Sequence, residues 1–186
     1  TVQPYRHDAG YCTLSYRLLV HGPPDAKRYV LGGGGMHVLL RTLAHRPFGR
    51  HTGTASAVLQ MLVREDFDLQ SDVASRGGGL YTAYELIASW NGGLTLSGFD
   101  LLIALAHGNT FVKNSCREGG FLPLLLAIAR NCAKSNDKVA AMAVQSLYEL
   151  VQSNHANQTL LAEDGAAVAL TNLIVNCTDG GDGSDG

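Results

Sequence analysis

Seven histidines, four cysteines and two glycine runs are the residues of this 186-residue chain with the plainest capacity for chemistry. His7, His21, His37, His45, His51, His107 and His155 include no pair four residues apart and no His-Glu-x-x-His arrangement, so no helix face would present the imidazoles of a zinc site. Cys12, Cys116, Cys132 and Cys177 form no Cys-x-x-Cys pair. Their scatter fits reduced, buried thiols better than a disulfide framework. The run Gly32-Gly33-Gly34-Gly35 would suit a phosphate if it followed a strand, because backbone N–H groups can cradle anions there. It follows an expected helix instead, and it matches neither of the nucleotide-binding glycine patterns. Gly77 to Gly79 reads the same way, and no Gly-x-Ser-x-Gly elbow occurs. Neither catalysis nor a cofactor is expected.

Two further motifs are weak. Asn157-Gln158-Thr159 and Asn176-Cys177-Thr178 match glycosylation sequons, which matter only for a secreted chain. Asp179, Asp182 and Asp185 are spaced by three rather than two and lack a closing Glu, so residues 177–186 read as a flexible Gly/Asp-rich tail or linker rather than a calcium loop.

The totals narrow the choice of partner. Only 16% of residues are charged and the formal net charge is −2, against the basic balance that binding a phosphate backbone requires. A nucleic-acid partner is not expected. No apolar run reaches the roughly 18 to 20 residues that span a bilayer, and Phe121 to Ala129 is interrupted by Pro123. Membrane insertion is not expected either. A hydrophobic content of 46% can build a substantial core.

The elements that would position any site come from an internal repeat. Glycines at 35, 79, 120 and 165 are separated by 44, 41 and 45 residues. The residues after them agree: Met36, Leu80, Phe121 and Ala166 one position on, Leu40, Tyr84, Leu125 and Leu170 five on, Leu43, Ile87, Ile128 and Leu173 eight on. Such offsets give each segment one apolar helical stripe, with the glycine at the turn before it. A second apolar helix ends about sixteen residues before each glycine, as at Leu62 and Val63 or Leu147 and Leu150. Each unit therefore holds at least two helices, and the three-helix armadillo unit that this pattern resembles implies long helices over 8–21, 52–66, 96–107 and 137–152, short ones over 25–31, 69–75, 110–117 and 156–162, and intermediate ones over 36–45, 80–90, 121–131 and 166–176. Ala140, Ala141 and Ala143 would let the last long helix pack closely.

The unit from Asn136 to Asn176, with its alanine-rich long helix and then Asn157, Leu161 and Gly165, resembles the armadillo repeat. The likeness extends from about Asp8 to Asn176. It implies an all-α, right-handed α-solenoid of armadillo-type repeats, with about three complete units and partial units at both ends, over residues 1–176. It also implies a protein-protein interaction scaffold or adaptor in the cytoplasm or a cytoskeletal assembly. The alternative it leaves open is a chaperone cofactor of the nucleotide-exchange-factor kind.

In that family the third, long helix of each unit lines a concave face. Its exposed polar residues here would be Arg17, Gln60, Arg64, Asp100, Gln145, Glu149 and Gln152, the candidate groove for another protein. Importin-like members resemble one another in a Trp and, four residues on, an Asn along each third helix. Gln145 and Glu149, or Asp100 and Ala104, stand there instead, and the single Trp90 falls at the end of a second helix, so recognition of nuclear import signals is not expected. Arg41, His45, Arg46, Arg50 and His51 form a second, basic patch. His21 and His107 end corresponding third helices, where a cation favours exposed carbonyls. Because the first and last segments carry apolar stripes without visible partners, the chain is expected to be a segment of a longer array or a subunit held by neighbours.

Overall fold

A computed structural model describes residues 6–45, 51–75, 78–132, 137–168, 170 and 171. Every regular element among them is an α-helix: α1 (Arg6–His21), α2 (Ala26–Gly32), α3 (Gly35–His45), α4 (Thr52–Val63), α5 (Phe67–Ser75), α6 (Gly79–Ala88), α7 (Gly92–Ala106), α8 (Thr110–Glu118), α9 (Phe121–Cys132), α10 (Asp137–Val151) and α11 (His155–Glu163). Helix resumes at Ala166. The expected helices are therefore present in their expected order. The tail 177–186, the end of the last expected helix, the sequon at Asn176 and, of the basic patch, Arg46 and Arg50 lie outside the described residues.

The chain forms two compact units, Thr1–Val112 and Lys113–Gly186. In the first, α4 packs between α1 and α7, with α3 against α4 and α6 against α7. Phe99, Leu39, Leu43, Leu59, Leu62, Ile87, Leu101, Leu102 and Leu105 fill its core. Fully burying one such side chain contributes roughly 1.5–3 kcal/mol, so these few positions dominate the unit's stability. In the second, α9 packs along α10 and α11 touches both. Leu122, Leu125 and Ile128 of α9 close over Ala143 and Leu150 of α10, all fully buried. Pro123 does not break α9, because it lies in the first turn, where its amide would have no partner within the helix.

The glycine register differs from expectation by one residue in two places. Gly120 and Gly165 adopt the left-handed conformation, with φ of 75° and 70°, but in the earlier runs it is Gly34 and Gly78 that do so, with φ of 72° and 69°. Gly35 and Gly79 open α3 and α6 instead. They are needed for another reason: a Cβ on Gly35 would collide with Val30 and Tyr11, and one on Gly79 would lie 2.9 Å from the Val73 carbonyl oxygen. The expected stripe is buried at Leu40, Leu43, Ile87, Leu125 and Ile128, where Leu39, Ala83 and Ala129 join it, while Tyr84 is only half-buried.

A small residue is buried in three of the long helices, Ala55 in α4, Gly98 in α7 and Ala143 in α10. Around Gly98, α6 comes so near that an added Cβ would stand 2.9 Å from both the Ile87 amide nitrogen and Leu86 Cβ. Gly98→Ala should therefore cost about 1–3 kcal/mol through overpacking. Gly53→Ala, inside α4 with open space around it, should be neutral or stabilise by up to about 1 kcal/mol. Urea denaturation of the two variants measures both, and equal stabilities would refute the close-approach reading.

Candidate functional site

Three of the short helices begin with the same construction. At the end of α4 the amide of Arg64 still donates to Gln60 O (3.1 Å), Glu65 turns left-handed (φ 59°), and the amide of Asp66 donates to Val63 O (3.2 Å). After α7 the sequence of events repeats with His107 to Ile103 O (3.0 Å), Gly108 (φ 66°) and Asn109 to Ala106 O (3.1 Å). After α10 it repeats again with Gln152 to Tyr148 O (2.9 Å), Ser153 (φ 56°) and Asn154 to Val151 O (3.1 Å). The left-handed residue satisfies a helix C-terminus, and the next residue caps the following helix. Asp66 Oδ1 accepts from Leu69 N (3.0 Å), Asn109 Oδ1 from Val112 N (3.2 Å) and Asn154 Oδ1 from Asn157 N (3.1 Å).

Each cap residue spends its other polar atom on the preceding short helix. Asp66 Oδ2 accepts from Lys27 Nζ of α2 (2.8 Å). Asn109 Nδ2 reaches Phe67 O (2.9 Å), Ser71 Oγ (3.0 Å) and Gln70 Oε1 (3.2 Å) of α5. Asn154 Nδ2 donates to Asn114 Oδ1 of α8 (3.0 Å). From the short helices, in turn, long polar side chains reach the carbonyls left open at the end of a long helix. Gln70 Nε2 donates to Ala104 O (3.1 Å) and His107 O (3.3 Å), and Lys113 Nζ donates to Gln152 O (2.9 Å). In the second unit Asn157 Nδ2 adds bonds to Leu150 O (2.9 Å) and Lys113 O (3.1 Å), and Arg117 donates to Asn157 Oδ1 (3.2 Å). Gln70, Asn109, Lys113, Asn154 and Asn157 are all buried. Buried polar groups are tolerated because they are paired, and here each pair links two helices.

The candidate groove residues divide on this basis. Arg17 of α1, Asp100 of α7, Gln145 of α10, and Arg64 and Gln152 just beyond α4 and α10 are exposed; Gln60 is half-buried and donates to Ser56 Oγ (3.1 Å). Gln60 and Arg64 share one face of α4's C-terminal end. Glu149 departs from the expectation of an exposed groove residue: it is buried, with Oε1 3.1 Å from Lys113 Nζ. Desolvation offsets much of the attraction in such a buried pair, but removing the carboxylate alone would strand the ammonium. Missing from the expected set is Tyr148, 61% exposed and on the same stripe of α10 as Gln145 and Gln152. The helical spacing of the three could have revealed it.

Several other chemistry-bearing groups are buried or bonded within the fold. Burial pushes the Cys116 thiol up to about 12, so it stays protonated near neutrality. Cys12 is buried beside Thr42 Oγ1. Asn157 cannot carry a glycan in the folded chain, since its amide is enclosed and bonded as above. His21 and His107 do stand at corresponding helix ends. Among the described residues no group of three or more His, Cys, Asp or Glu could hold a metal ion, and no helix is long and apolar enough to cross a membrane. An open cleft of about 340 Å³ is lined by Asp68, Ser71, Asp72 and Ser75 of α5 and by Phe111. Both serine hydroxyls donate to carbonyls of their own helix. No family model matches this sequence, and no curated protein or solved structure shows significant similarity to it.

Two outcomes follow from the caps. Asn109→Ala removes one cap and leaves Gln70 and the Phe67 carbonyl short of a partner, so a loss of about 2–4 kcal/mol is expected by urea titration; a loss below about 0.5 kcal/mol would contradict the assignment. The hydrogen bond from Lys27, and after it that from the Leu69 amide, holds the Asp66 carboxyl below its ordinary value of 3.8. A folded-state value below the unfolded one means that the contribution is complete above the unfolded value and disappears as pH falls through the folded value. Lys27→Met should therefore flatten the loss of stability below about pH 4, measured as the urea midpoint against pH, and should lower stability at pH 7.

Proposed function

We propose that this chain is a non-catalytic protein-binding scaffold, built as a right-handed armadillo-type solenoid of about three complete units with partial units at both ends. The observation that carries this reading is the recurrence of one cap, at Asp66, Asn109 and Asn154, each bonded to its own short helix and to the one before. A repeated link of that kind belongs to an array whose units cannot bury their apolar stripes singly. The reading suits an intracellular assembly, where buried thiols such as those of Cys12 and Cys116 would stay reduced.

The partner face we favour is the exposed stripe at α10, Gln145, Tyr148 and Gln152. Tyrosine supplies a large amphipathic contact at small conformational cost, and aromatic anchors dominate protein interfaces. Partners recovered with the native protein by cross-linking should be lost from a Gln145→Ala, Tyr148→Ala, Gln152→Ala triple variant whose helicity and melting are unchanged. Retention of every partner by that variant would move the interface elsewhere. Glu149→Gln should act differently. It leaves Lys113 buried without its counter-charge and should cost on the order of 3 kcal/mol of stability, seen by chemical denaturation whether or not a partner is bound.

A further inference from the structure

We draw no further inference here: the strongest candidate, the outward apolar face of α1 where Leu14 is 66% exposed beside Tyr16 and Val20, carries nothing because nothing in the structure shows what covers it.

Discussion

A side chain with two polar atoms, placed three residues beyond the last residue of a long helix, is the constraint on which the rest of each unit depends. At Asp66, Asn109 and Asn154 one oxygen closes the start of a short helix while the second atom grips the previous short helix. Meeting both demands fixes where the long helix must stop and forces a left-handed residue immediately before the cap. Gly108 meets that demand cheaply, whereas Glu65 and Ser153 meet it at a steric cost that the surrounding bonds must offset. The buried Lys113 and Glu149 belong to the same arrangement: the ammonium closes the end of α10 through the Gln152 carbonyl, and the carboxylate balances its charge.

Much of the helical order was legible in the sequence, because two backbone requirements leave a chemical trace. A left-handed turn and a close helix approach both select against a Cβ, so glycine and alanine recur at the repeat period. Where glycines stand in a row, as at Gly32 to Gly35, the sequence cannot say which one turns and which one opens the helix. Only the surroundings of Gly35, crowded by Val30 and Tyr11, separate the two roles. The recurrence of Asp or Asn at 66, 109 and 154 was also present in the sequence, but a cap type near a helix start reads as ordinary capping. Its second bond lies about forty residues away and leaves no local signature.

The candidate site was harder to read for a related physical reason. Polar type predicts exposure only when no buried partner is waiting, and Glu149 has one in Lys113, which itself looks like a surface residue of an amphipathic helix. Asn157 likewise appears as a sequon and behaves as a core residue. The polar residues of this protein thus serve two purposes, linking helices inside and meeting solvent or partners outside. Counting the first group as surface enlarges the expected groove, and the exposed Tyr148 was left out of it. What remains outward on α10 includes Lys138, Ala141, Gln145 and Tyr148, with Gln152 just beyond its end.

Native-state hydrogen exchange at the amides of Leu69, Val112 and Asn157 tests the role of the caps most directly. Amides in the first turn of a helix ordinarily exchange through local fraying, with opening energies near zero. If the two-sided caps hold each unit together, these three should exchange only with the cooperative opening of their unit, at opening energies close to those of core amides such as Leu102 and Leu147. Rapid exchange at all three, with the core still protected, would contradict the account.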